Sequence, residues 1–247
     1  MSGKPPDPLP GPLHHVEVGG RQVPLSVRHH AKARRLILRI DPKTGGVVVT
    51  LPKGVPAKAG VALAEEKSAW IAGALEKLAR PTPIVAGARV PVLDREHVIC
   101  HDPAGRFGVR REGNAIWVAG REEHIARRVL DWLRREAKLE IVPRAETMCG
   151  RLEATFNRVS IRDTRSRWGS CAPNGNLSFS WRLVMAPMDV LDYVVAHEVS
   201  HLRHMDHSPA FWETVKSLGV DPEAGRKWLN ANGERLMRVG IETASFG

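Results

Sequence analysis

The chain has only three cysteines, Cys100, Cys149 and Cys171. They are too few and too scattered for a disulfide framework or a CxxC zinc knuckle, so buried, reduced thiols are expected at Cys100 and Cys149, with Cys171, closer in sequence to the candidate site, left open. No apolar run approaches the ~20 residues that a spanning helix needs, and no membrane association is expected. Residues 1–12 are rich in Pro and Gly and have no apolar h-region. They read as a disordered tail rather than a secretory leader, which makes the cytoplasm the expected location. No P-loop, GxSxG or dinucleotide fingerprint is present, which argues against ATP-driven, serine-hydrolase and dehydrogenase chemistry. No internal repeat is visible.

Acidic residues are scarce in two blocks. The net charge is +10, yet residues 24–60 hold eight Lys/Arg against Asp41 alone, and residues 158–182 hold five Arg against Asp163 alone. Such blocks attract polyanions, so nucleic acid is an expected partner for residues 24–60, against a plain solvated surface. The segment 183–247 is different, with six basic and nine acidic residues.

Apolar residues at 43% and charged residues at 26% are ordinary for a globular chain. Residues 14–51 read as strands, at Val16–Val18, Val23–Val27, Leu36–Ile40 and Val47–Leu51. Residues 57–80 have helical spacing, with Leu63, Trp70, Ile71, Leu75 and Leu78 on one side, ended by Pro81 and Pro83. Short strands return over 84–120. A long helix follows from 121 to about 156, with Pro143 expected to kink or divide it. Residues 157–184 read as a meander in which Leu177, Phe179, Trp181 and Leu183 alternate with polar residues. The expected class is α+β, with a β-rich N-terminal lobe (13–120) and a second lobe over 121–247.

That second region carries His197-Glu198-Val199-Ser200-His201. The preceding residues favour a helix, because Asp189 suits its N-terminus and Val190, Leu191, Val194 and Val195 form an apolar face. Histidines four apart share one helical face, about 6 Å from each other, so both imidazoles can address one ion. Glu198, beside the first of them, can reach water bound to that ion and act as general base. Catalytic zinc typically takes three protein ligands and leaves a position for water. His207 is the expected third ligand, with Glu223 and Glu234 as carboxylate alternatives. His204 suits a supporting or surface role. The longer metzincin spacing is absent.

Several runs carry a family resemblance. Arg165-Ser166-Arg167-Trp168-Gly169-Ser170-Cys171, the Asn174-Gly175 turn, Tyr193–Glu198 and His207–Trp212 together resemble the YgjP-like metallopeptidases. Ala33–Ile40 also resembles that family, which is similar around its site to the WLM and SprT zinc proteases. Some of those act on proteins crosslinked to DNA. The resemblance implies a zincin-like fold for the C-terminal lobe, zinc at His197, His201 and His207, and a catalytic Glu198.

Arg165, Arg167 and Arg182 precede the metal helix and are candidates to hold substrate or a developing oxyanion, against a structural ion pair for each. Tyr193, Trp168, Trp181 and Trp212 read first as core residues. The expected activity is zinc-dependent hydrolysis of a peptide or protein, with an extended substrate pairing to an edge strand near 176–184. The alternatives are a metal-dependent nucleotide phosphoanhydride hydrolase and a nucleic-acid-associated binding module.

Overall fold

The computed structural model describes residues 13–41, 44–164 and 167–241. The segment read as a disordered tail, 1–12, lies outside them. The chain divides into two compact units, residues 1–79 and 80–247.

The first unit begins with β1 (Leu13–Val18) and β2 (Arg21–His29), a hairpin closed by Gly19 and Gly20 at positive φ. Next come β3 (Ile37–Ile40) and β4 (Val47–Leu51). The strand order is β1-β2-β4-β3, with β2 and β4 parallel and both outer pairs antiparallel. Alternate residues Val23, Leu25 and Val27 of β2 turn inward, as a period of two requires. They pack with Val49, Leu51, Ala64 and Ile71. The single helix expected over 57–80 is two helices, α1 (Ala57–Glu66) and α2 (Ser68–Lys77). The chain bends at Lys67, where ψ is +17° rather than the helical value near −42°. Ile71 is buried, whereas Trp70, expected on the apolar side, is 53% exposed.

The second unit opens with β5 (Arg89–Val92), β6 (Arg95–Asp102), β7 (Val109–Glu112) and β8 (Ala115–Ala119). Their order, β5-β6-β8-β7, repeats the pattern of the first sheet, again with the middle pair parallel. The sequence shows no sign of this repeat. Helix α3 (Ile125–Arg151) then runs unbroken through Pro143. A proline removes the bond to the carbonyl four residues back. That residue, Leu139, is 66% exposed, so water can serve its carbonyl.

Strands β9 (Arg158–Arg162), β10 (Gly169–Cys171) and β11 (Asn176–Ser180) form a third sheet in the order β10-β11-β9. The expected strand over 176–184 ends at Ser180, whose hydroxyl accepts from the Arg182 amide and starts a 3-10 turn, Trp181–Met185. Helices α4 (Met188–Ser200), α5 (Pro209–Ser217) and α6 (Pro222–Met237) complete the unit. Its core joins Val92, Ile116 and Val118 to Leu133 of α3 and Leu191 of α4. The amide of Leu93 also donates to Val184 O at 2.7 Å. The division expected near residue 120 therefore falls inside one shared core. The class is α+β, and among the described residues no helix is long and apolar enough to cross a membrane.

Candidate metal centre

Helix α4 forms where the sequence places it. Asp189 sits in the first turn, and Val190, Leu191, Val194 and Val195 are buried. His197 and Glu198 occupy its last turn, and His201 follows with φ and ψ still helical. The chain then bends back over Leu202 to Asp206. The Asp206 carboxylate accepts from the Ser208 amide at 3.3 Å, and the Ser208 hydroxyl caps α5 by accepting from Phe211 N at 3.4 Å. This turn returns His207 to the helix, with its Nε2 3.2 Å from His197 Nε2.

One ring nitrogen from each of His197, His201 and His207 lies within 4.8 Å of the others, an arrangement that can hold a metal ion. Nitrogens around a tetrahedral zinc stand about 3.3 Å apart, given Zn–N bonds near 2.0–2.1 Å. The 3.2 Å separation fits one edge of that figure, and the donor set is one that divalent zinc accepts. His201 is oriented through Nδ1, which faces the His204 carbonyl at 2.9 Å and leaves Nε2 for a ligand. The supporting role expected of His204 is thus filled by its backbone. His197 Nδ1 is buried with no hydrogen-bond partner among the described residues. Its ring is set by packing against Phe211 at 5.0 Å and Trp212 at 5.7 Å. Burial, followed by the nearby His201 and His207, lowers its pKa to about 4. Burial also lowers that of His201. Neutral imidazole is the form that binds a metal.

Glu198 is 6% exposed and faces β10. Gly169 lies against it so closely that an added Cβ would stand 2.5 Å from Glu198 Cγ. The carboxylate accepts a hydrogen bond from the Cys171 amide, and the Arg167 charge reaches it. Both favour the ionised form, but burial outweighs them and raises the pKa from 4.5 to about 7. A carboxyl poised near neutrality suits proton transfer in both directions. Beside His201, a cavity of about 530 Å³ is lined by Cys171, Asn174, Leu202 and Met205, among others.

Of the candidate arginines, Arg165 lies outside the described residues. Arg167 is exposed near Glu198. Arg182 is 2% exposed and committed elsewhere. It pairs with Asp163, donates to the carbonyls of Leu236 and Val239 at 3.1 Å each, and lies over the Trp181 ring at 4.2 Å. The structure therefore gives it the ion-pair role instead of a substrate contact, because a buried guanidinium must spend its donors internally.

Tyr193 is buried against Gly225 of α6, and Trp168 packs on Gly233 of the same helix. Trp181 is core, whereas Trp212 is partly buried and 5.8 Å from His207. Glu223 and Glu234 do not join the histidine cluster. The three thiols are free, as expected of Cys100 and Cys149, although Cys100 and Cys171 are only partly buried.

Sequence reasoning missed three participants. Gly169 and the Cys171 amide shape the Glu198 site, and both stand in the 165–171 run that carries the family resemblance. The third, Arg226 of α6, carries no motif. Its guanidinium lies 5.4 Å over the Trp212 ring.

Fold and site together define an α+β domain with a three-histidine metal-binding arrangement and a buried carboxyl beside it. Residues 34–232 match the model of a family described as YgjP-like, metallopeptidase domain. The chain belongs to this YgjP-like family, which makes it a metal-dependent hydrolase domain in class. No curated protein and no solved structure matched the chain.

Proposed function

We propose that the chain is a zinc metallopeptidase whose second unit holds a zincin-like active site. One observation carries this reading. His207, from a separate turn, meets His197 at the end of α4 and His201 just after it, while Glu198 beside His197 stays buried with a pKa of about 7. Zinc held by His197, His201 and His207 would supply the Lewis acidity that lets a water lose its proton near neutral pH.

Glu198 takes that proton. Its carboxylate is held in place by the Cys171 amide and the surface of Gly169, so little reorganisation is needed. After attack on the carbonyl, the protonated Glu198 delivers its proton to the leaving amine.

Strand β11 is central in its sheet, so the edge that could receive a peptide is β10, one strand nearer the helix than expected. Ala172 N donates to Asn176 O and Ser180 N to Trp168 O. In an antiparallel ladder this register turns the backbone groups of Gly169 and Cys171 away from β11. The Cys171 amide is taken by Glu198, and an extended substrate can pair with the Gly169 groups and the Cys171 carbonyl that remain.

The test is a hydrolysis screen of neutral unfolded peptides, DNA-bound proteins and nucleotides, with zinc-loaded wild type beside Glu198→Gln. Cleavage of neutral peptides should fall by at least ~10²-fold in the variant while its zinc content stays unchanged. Hydrolysis of nucleotides alone, with peptides untouched, would replace this reading with the phosphoanhydride one.

A further inference from the structure

Two cations flank the histidine cluster, and neither has an ion-pair partner among the described residues. Arg167 adjoins β10, where its charge reaches Glu198. Arg226 belongs to α6 and stands on the face of Trp212, 5.4 Å from the ring centroid. The same indole lies 5.7 Å from the His197 ring and 5.8 Å from the His207 ring. Trp212 therefore links the guanidinium to the site.

An exposed arginine is ordinarily a mobile, hydrated charge of little consequence. Stacking changes this. A guanidinium laid on an indole is held in one plane by cation–π attraction, while its N–H fork stays open at the edge. Such a fork matches the two oxygens of a carboxylate or phosphate. The surroundings reinforce the preference. Imidazole ligands bring no negative charge to a metal, so a divalent cation held there would be offset only by the nearby carboxyls of Glu198 and Asp206. The Arg226 charge reaches His197 and the Arg167 charge reaches Glu198, so both add positive potential beside the histidine cluster, which favours anions.

We propose that Arg226, held on Trp212, binds an anionic group of the substrate, a carboxylate or a phosphate, close to the bond that is cleaved. The proposal rests on the metallopeptidase reading and adds to it a preference for substrates that carry an anionic group. The group engages the open edge of the guanidinium and fixes the substrate's register relative to the histidine cluster.

Three probes that share one peptide hydroxamate test this. One ends in a neutral amide, one in a carboxylate and one in a phosphonate, and their affinities are measured by calorimetry on zinc-loaded protein. Wild type should bind one or both anionic probes about tenfold more tightly than the amide. The stronger of the two identifies the group. Arg226→Ala should lose this preference yet bind the amide as wild type does, and Arg226→Lys should keep part of the preference. Unchanged amide affinity and zinc content separate lost recognition from lost folding. An equal affinity of wild type for all three probes overturns the proposal, as does a preference that survives in Arg226→Ala. If even the amide probe fails to bind zinc-loaded wild type, the metal-site reading falls, and this one with it.

Discussion

Gly169 and Glu198 touch so closely that any side chain at position 169 would have to displace the Glu198 carboxyl or the strand. A Cβ there would lie 2.5 Å from Glu198 Cγ and 2.6 Å from its Oε1. The contact joins the edge strand to the metal helix and fixes the carboxyl from behind, while the Cys171 amide holds it from the strand.

Gly169→Ala should therefore damage chemistry more than binding. The added methyl must push Glu198 or β10 aside. Overpacking of this kind costs about 1–3 kcal/mol of stability, and a shift near 1 Å at a catalytic group costs on the order of 10²-fold in rate. Peptide turnover should drop by that order with zinc retained. Wild-type kcat in Gly169→Ala would show that the strand gives way without moving the carboxyl.

The histidines make a ligand test. His207→Ala should bind zinc severely less well, measured by competition with a chelating dye. His204→Ala should keep zinc, because its backbone carbonyl, not its ring, faces His201 Nδ1. Glu223→Ala should keep zinc too. Loss of zinc in Glu223→Ala with retention in His207→Ala would assign the third ligand to the carboxylate.

Glu198 also makes the metal-free protein pH-sensitive. Its pKa is about 7 in the fold against an ordinary 4.5, so the folded state holds the proton more tightly than the unfolded chain. The stabilisation is complete below about pH 4.5 and is lost as pH rises through 7. Glu198→Gln lacks this titration. In urea unfolding of chelator-treated proteins, the variant should gain on wild type by roughly 3 kcal/mol between pH 4.5 and 8. A gap that stays constant with pH would mean that the carboxyl is not held in a dry site.

The basic block near residues 24–60 is a separate matter. Because β2 and β4 run parallel, the β2–β3 and β4–α1 loops emerge at the same end of their sheet. Arg34, Arg35 and Lys53 on those loops are exposed. If this end binds nucleic acid, log affinity should fall linearly with log salt. Arg34→Ala and Arg35→Ala should each flatten that slope by about one unit. No binding at low salt would leave a solvated basic surface.

Strands β1 to β4, helix α4 and the His197–Glu198–His201 group were legible because each depends on neighbours in sequence. Alternation marks a strand face, and four-residue spacing marks a helical one. Other features were hidden. A shared core joining β5–β8 to α3 and α4 leaves no trace in the pattern around residue 120, so local reading puts the boundary there, whereas the compact units meet at 79/80. The repeated strand order of the two sheets is likewise a matter of pairing and not of composition.

The sequence by itself determined the chemistry on offer, namely two histidines on one helical face, a carboxyl beside the first of them and a third histidine within a short turn. Those relations are local, and helical periodicity enforces them wherever the segment folds. Tertiary structure alone decided how the chemistry is tuned and which charges attend it. It buried Glu198 against Gly169, turned Arg182 inward to Asp163, and stood Arg226 on Trp212. Each of these joins residues more than ten positions apart, on separate strands, turns and helices. Packing of one element against another sets such pairs, and no spacing rule along the chain encodes them.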